Sequence, residues 1–454
     1  MISNRDKKIF LIAGDIFILY LSLYLTLLIR YGANPSNELW ARHLSPFTAI
    51  FAIWIMIFYI SGLYNLNIAV TNLFFFKRMA KGLLLGASAA VLFFYVVPSV
   101  IAPKTNLAIF IAVFALMFFF WRQLFNWSLS SYMPKNKIAI IGQSQLIREI
   151  VEVFRTKPHL GMKIAFILDP GEKYQKELGG VPIFSDINDL ERLIKKKNIS
   201  SIILAANPNE SDKLRGILFK CLPMQMNFLK LIDFYESITG RVPIDVINKM
   251  WFLENLSEGN KKFFDLIKRS FDLFLSILLL LISLPFWIVI ALIIKLESKG
   301  PVFFTQTRCG QEGKRFKMIK FRTMREEGNN HAPTLEKDDR ITKFGNFLRK
   351  SRIDEIPQML NILLGDMSFI GPRPERPELV EELEKAVPFY RERMLVRPGV
   401  TGWDQVCGEY HSPSLEDTMK KLQYDLFYIK NRSPLLELSI ILKTINTVFS
   451  RAGR

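Results

Sequence analysis

The chain has 454 residues, half of them hydrophobic and 38 of them phenylalanine, yet it carries a formal charge of +18. That length allows two or three domains, and the apolar fraction argues against an ordinary soluble enzyme. Three scattered cysteines and four histidines argue against a disulfide framework or a zinc site. The charge fits a protein held at an anionic membrane surface and handling phosphorylated substrates. No nucleic-acid-binding signature accompanies it, since the basic residues lie beside apolar segments or in the C-terminal third.

Four apolar stretches, Ile9 to Ile29, Pro46 to Leu63, Leu83 to Val100 and Leu107 to Trp127, approach the ~20 residues that a helix needs to cross a bilayer. They predict a four-helix transmembrane bundle over residues 1–130. The first is too long for a signal peptide and lacks a small-residue cleavage site. Arg5, Lys7, Lys8, Lys77, Arg78, Lys81, Arg122, Lys135 and Lys137 fall on one side of these spans, against Arg30, Arg42 and Lys104 on the other. Basic flanks stay inside, so the N-terminus and everything after the fourth span are expected in the cytoplasm, with the protein multi-pass.

Residues 134–245 then alternate in an α/β manner. "KIAIIG" (Lys137 to Gly142), "KIAFILD" (Lys163 to Asp169) and "SSIILAA" (Ser200 to Ala206) read as buried parallel strands of a Rossmann-like domain. Its nucleotide fingerprint is degraded: Gly142 is followed by Gln143, Ser144, Gln145, Leu146 and Ile147, so only the first glycine of the turn is present. The reading favoured is a folded spacer or oligomerisation module, with a homodimer as partner; the alternative is a ligand at the strand ends. Residues 246–262 read as a linker.

A fifth apolar run, 270–294, is long enough to cross, but basic residues flank it on both sides: Lys261, Lys262, Lys268 and Arg269 before it, Lys295 and Lys299 after it. Positive flanks keep both ends on one face, and Pro285 removes a helical donor, so a re-entrant hairpin breaking near Ser283 to Pro285 is expected. Ser283 could supply its hydroxyl to the carbonyl that Pro285 leaves free. A fifth ordinary span with a tolerated proline is the alternative.

Residues 263–454 carry clustered motifs: "GPVFFTQTRCGQEGKRFKMIKFRTM", "DDRITKFGNFLRKSRIDEIPQ", "GDMSFIGPRP" and "RPGVTGWDQV". The first predicts a β-hairpin turning around Cys309 to Lys314. Pro357 and Gly365 bracket a helix ending at Leu364. Asp354 and Glu355 stand just before it, where they could cap its free N–H groups, or where a carboxylate close to basic groups could bind Mg²⁺ or attack an electrophile. Many cations beside one carboxylate pair suit phosphoryl transfer, which needs charge neutralised on substrate and leaving group.

In this order the motifs resemble the bacterial polyprenyl phosphate sugar phosphotransferases, the monotopic phosphoglycosyl transferases. The four spans and α/β domain in front are similar to the larger galactose- and glucose-phosphate transferases of that family. The resemblance implies that Asp354 is the nucleophile, that Glu355 is its partner, and that Mg²⁺ sits close by, with Asp354 as its ligand. It implies that Arg349 and Arg373 hold the nucleotide's phosphates and base, and Lys320 and Arg322 of "KFRTM" are taken as further substrate-binding cations. Two departures stand out: Leu284 separates Ser283 from Pro285, and Cys407 and Gly408 follow "TGWDQV" where the family commonly has asparagine and glycine.

The expected reaction moves a sugar 1-phosphate from a UDP-sugar to undecaprenyl phosphate at the cytoplasmic face, through a phosphosugar on Asp354. It would be the first membrane step of exopolysaccharide, capsule, O-antigen or glycoconjugate synthesis. A membrane-bound nucleotide-sugar dehydratase or epimerase is an alternative, but no tyrosine is followed by lysine four residues later. A non-enzymatic assembly scaffold leaves the carboxylate pair and its arginines unexplained.

Overall fold

The structure is a computed structural model of the chain, and it describes residues 4–32, 34–64, 73–97, 104–131, 136–142, 144–156, 162–170, 177–205, 212–224, 226–256, 261–325, 338–407 and 414–449. The chain forms two compact units, Met1–Leu231 and Ile232–Arg454. Gln143 and Gly408 lie outside the described residues, as do residues 257–260 of the expected linker.

In the first unit, α1 (Asn4–Tyr31), α2 (Asn37–Ile60), α3 (Leu73–Val96) and α4 (Lys104–Ser131) are each apolar enough to cross a membrane. α2 starts well before Pro46 because the Ser36 side chain accepts from Leu39 N and caps it; Pro46 then lies inside the helix. Trp54, Phe58, Phe110, Phe114 and Phe118 are fully buried between the helices. Arg122 of α4 meets Asp15 of α1 at 2.7 Å, so two charges expensive in hydrocarbon are paired inside the bundle.

The same unit contains a six-stranded sheet in the order β3-β4-β2-β1-β5-β6. Its strands are β1 (Asn136–Ile141), β2 (Met162–Leu168), β3 (Glu177–Leu178), β4 (Val181–Phe184), β5 (Ser201–Leu204) and β6 (Asn227–Lys230). All neighbours are parallel except β3 with β4. α5 (Leu146–Thr156), α6 (Leu190–Lys197) and α7 (Asp212–Cys221) supply the crossovers, and Ile150, Leu193, Ile194 and Leu214 are buried.

The second unit begins earlier than the sequence boundary at 245. α8 (Leu231–Thr239) leads to Val242, Ile244 and Ile247, and then α9 (Lys249–Asn255) brings Trp251; these residues share a core with Ile370, Val396, Leu422 and Ile429. The described part of the expected linker is therefore folded, with Asn248 capping α9 at Trp251 N. Its apolar residues gain a core only from partners distant in sequence.

α10 (Lys262–Glu297) follows as one continuous helix with Pro285 inside it, not as a hairpin broken in secondary structure. Pro285 frees the carbonyl of Leu281, but the Ser283 hydroxyl donates to Leu280 O at 3.3 Å and accepts from Trp287 Nε1 at 3.1 Å. One face of α10 meets the globular part of this unit along nearly its whole length. Arg269 donates to Ile362 O and Leu363 O at 2.6 and 3.0 Å, and Asp272 accepts from Phe369 N at 3.2 Å. Farther along, Leu280 packs against the cluster that contains Phe316 and Met318, the Trp287 ring meets Phe321, and Ile294 shares a cluster with Phe321 and Leu348. At the end, Glu297 accepts from Phe344 N at 3.0 Å. The opposite face exposes Phe274, Leu281, Ile288 and Leu292, a stripe that only an apolar medium would tolerate.

The globular part continues with an antiparallel hairpin, β7 (Phe303–Cys309) and β8 (Arg315–Phe321), whose turn spans the expected residues. Then come α11 (Lys343–Ser351), α12 (Gln358–Leu364), β9 (Ser368–Ile370), α13 (Pro377–Ala386), β10 (Gly399–Thr401), α14 (Trp403–Val406), α15 (Leu415–Asn431) and α16 (Pro434–Phe449). β9 and β10 pair in parallel.

Candidate active site

The site is assembled by a turn between two short helices. Thr342 caps α11 by accepting from Gly345 N at 2.9 Å. Gly345 has no alternative, since a Cβ there would lie 2.1 Å from Thr323 O; α11 therefore packs directly on the strand end that carries "KFRTM". α11 stops at Arg352, a non-glycine residue in the left-handed region at φ 59°, a conformation that costs roughly 1–2 kcal/mol. That reversal turns Ile353–Glu355 into a 3-10 turn, and α12 runs from there to Gly365, whose φ of 92° ends it.

Asp354 and Glu355 are both buried, at 8% and 6% exposure, and neither caps α12 with its side chain. Their surroundings differ. Glu355 Oε1 takes Lys320 Nζ at 2.8 Å, Arg373 Nη2 at 3.3 Å and Arg352 Nη1 at 3.7 Å. Burial alone would raise the Glu355 pKa, but these three cations hold it down to about 2. Asp354 Oδ1 has no hydrogen-bond partner among the described residues. Burial first, and then the charge of Glu355, push Asp354 up to about 6. One carboxylate is thus permanently ionised and committed to cations, while the other keeps a free oxygen.

The cations are held in different ways. Lys320 reaches in from β8, and burial lowers its pKa against the pull of Glu355. Arg373 stands between Pro372 and Pro374 with its side chain 41% exposed, so it touches both Glu355 and solvent. Arg349 donates through Nε to Thr323 Oγ1 at 2.9 Å and through Nη2 to Met324 Sδ at 3.2 Å, and its charge lowers the Asp354 pKa against burial. Arg373 also lines a small open cleft with Cys309, Pro372, Tyr390, Arg393 and Pro398 among others.

Asp354, Glu355, Lys320, Arg349 and Arg373 therefore come together as the sequence led one to expect from their clustering. Arg322 does not join them. It is 4% exposed and donates to Ser298 O at 2.8 Å and Lys299 O at 2.9 Å, tying the hairpin to the end of α10. Its position in β-strand alternation decides this: two residues beyond Lys320 it should share that face, but the strand ends at Phe321 and the chain turns away. Ser283 and Pro285 stay within α10. The sequence reading missed Arg352 and Thr323; the basic run "RKSR" before Asp354 was the available signal for the former.

A family described as bacterial sugar transferase matches residues 263–451, and a second, described as CoA-binding domain, matches residues 59–229. The chain is 37% identical over 270 residues to a UDP-N-acetylgalactosamine-undecaprenyl-phosphate N-acetylgalactosaminephosphotransferase of Aeromonas hydrophila, covering 58% of this chain and 63% of that one. It is 32% identical over 327 residues to a UDP-glucose:undecaprenyl-phosphate glucose-1-phosphate transferase of Xanthomonas campestris pv. campestris, covering 68% and 65%. It is 31% identical over 336 residues to a protein of the same description from Escherichia coli K12, covering 70% and 69%. The first two matches span just under two thirds of those relatives' length. With the site residues all inside the matched region, the chain belongs to the bacterial sugar transferases, the family of polyprenyl phosphate sugar phosphotransferases.

Proposed function

We propose that the chain transfers a sugar 1-phosphate from a UDP-sugar to undecaprenyl phosphate at the cytoplasmic membrane face, giving a diphosphate-linked lipid and UMP. The observation that carries this is the free, buried oxygen of Asp354 beside a glutamate that is already neutralised by three cations. An Asp354 oxygen attacks the β-phosphorus of the donor, the bond from that phosphorus to the bridging oxygen breaks, and UMP leaves with the electron pair. An oxygen of the lipid phosphate then attacks the same phosphorus and restores the Asp354 carboxylate. Splitting the transfer lets one carboxylate serve a soluble donor and a lipid acceptor in turn.

Arg373 and Lys320 supply positive charge where the departing UMP gains negative charge, and Glu355 keeps them in place. Mg²⁺ fits this site: it takes one or two carboxylates plus substrate phosphates and water, Asp354 Oδ1 is free to be such a ligand, and the ion would offset the charge of the donor diphosphate. α10 bonds to one globular unit near both of its ends, through Arg269 and Glu297, which supports a helix whose ends lie on one membrane face; fully straight and crossing, a helix of that length would reach ~54 Å, well beyond a ~30 Å hydrocarbon core. Incubating the purified protein with a UDP-sugar labelled at the β-phosphate, without lipid, should release UMP and leave label on a peptide containing Asp354. Label on another residue, or none with UMP still released, overturns the covalent route.

A further inference from the structure

The loop that presents Arg373 has an unusual anchoring problem. Pro372 and Pro374 lack an N–H, so the loop has few backbone donors of its own. Its carbonyls are held from outside instead. Gly399 N donates to Pro372 O at 3.0 Å, Arg393 Nη2 to Arg373 O at 3.0 Å, Arg308 Nη1 to Pro374 O at 3.1 Å, and Cys309 N to Glu375 O at 2.9 Å.

Arg393 is 7% exposed and belongs to a buried network. Its Nε donates to Asp425 Oδ2 at 3.0 Å, Nη2 approaches the same oxygen at 2.8 Å, and Nη1 donates to Tyr390 OH at 2.8 Å. A buried ion pair is weak support for stability, because well-packed apolar residues often replace one without loss. What apolar residues could not replace is the donor on the carbonyl of Arg373. A guanidinium fixed at two other points is suited to that task, since its planar fork loses little freedom on making one more bond.

We infer that Arg393, held by Asp425 and Tyr390, is a positioning residue for Arg373: it fixes the backbone from which Arg373 reaches Glu355 and the donor's phosphates. This rests on the transfer reaction proposed above. Arg393 does not touch the carboxylate pair; its effect passes through the Arg373 main chain.

The test uses the full-length protein, with UDP-glucose or UDP-N-acetylgalactosamine, whichever the wild type turns over faster. Arg393→Lys keeps a charge beside Asp425 but cannot reach all three acceptors. It should raise the donor KM and lower kcat/KM by about tenfold or more, and this loss should largely vanish in an Arg373→Ala background, as expected of residues acting as a unit. The pair replacement Arg393→Met with Asp425→Leu should recover the apparent Tm without recovering kcat/KM. Multiplicative losses in the Arg393→Lys and Arg373→Ala cycle, or full kinetic recovery in the pair replacement, overturn the inference; if the pair replacement does not fold, the cycle decides alone. If the wild type turns over no UDP-sugar, the transfer reading fails. Amide exchange of the segment 368–377 then decides positioning: faster exchange in Arg393→Lys supports it, and unchanged exchange overturns it.

Discussion

Asp354→Asn separates the structural and chemical readings of the carboxylate pair. Because Asp354 Oδ1 has no hydrogen-bond partner among the described residues and the side chain caps no helix, removing the charge costs that oxygen no hydrogen bond, and the attraction of Lys320, Arg352 and Arg349 that is lost is smaller than the burial and Glu355 repulsion that are relieved. The ionised form of Asp354 is instead a burden: a rise from 3.8 to about 6 corresponds to roughly 3 kcal/mol against the charged form in the fold. The sign is that of a raised acid. The burden is absent below pH ~4, where the group is protonated in both states, grows between the two pKa values, and is complete above pH ~6. Asparagine needs partners for its own NH₂, at a cost of about 1–2 kcal/mol that does not change with pH, so a net gain of about 1–2 kcal/mol is expected at pH 8, turning into a net loss of about 1–2 kcal/mol as pH approaches 4. Apparent Tm by intrinsic fluorescence at several pH values reads the stability, and UMP release per folded protein reads the chemistry. A more stable protein with turnover lost by orders of magnitude is the expected pairing. Destabilisation at pH 8 by more than about 1 kcal/mol, or substantial UMP release, would refute the reasoning.

At limiting Mg²⁺ the rate of UMP release in a single turnover should fall as pH drops through about 6, and saturating Mg²⁺ should move the fall to lower pH, because Asp354 must be ionised to attack while Glu355, held at about 2, stays charged; a profile flat from pH 5 to 8 at limiting Mg²⁺ contradicts the assignment. Lys320→Met should raise the Glu355 pKa, add an acidic limb to the profile and lower kcat/KM, whereas unchanged kinetics would remove Lys320 from the site. Arg322→Met strands the carbonyls at the end of α10 and should cost about 2–4 kcal/mol while leaving the donor KM of folded protein unchanged; a large KM effect would return Arg322 to substrate binding. Cysteines placed near Lys261 and Lys299 should both be labelled from the cytoplasmic side, and opposite-side labelling would make α10 a true span.

Local signals carried much of the architecture. Runs of apolar residues mark α1 to α4 whatever they pack against, because the bilayer imposes length and hydropathy one segment at a time. Pro357 and Gly365 bracket α12 because a proline at the helix start, here the N-cap residue, and a left-handed glycine at its end act within their own turn. Strand runs at Lys137, Lys163 and Ser200 are found as β1, β2 and β5 for the same reason. The site was legible as a cluster, since Asp354, Glu355, Lys320, Arg349 and Arg373 all sit in motifs. Its division of labour was not. Adjacent carboxylates look alike in sequence, and only the approach of Lys320 from β8 and Arg373 from the loop after β9 commits one of them and frees the other. Arg322 was misplaced because a single residue past a strand end decides which way a guanidinium faces. The residues after Ile232 joined the C-terminal unit, and α10 stayed helical through Pro285 with one face against that unit, because long-range contacts between chain segments tens to hundreds of residues apart outweigh the local preference of either segment.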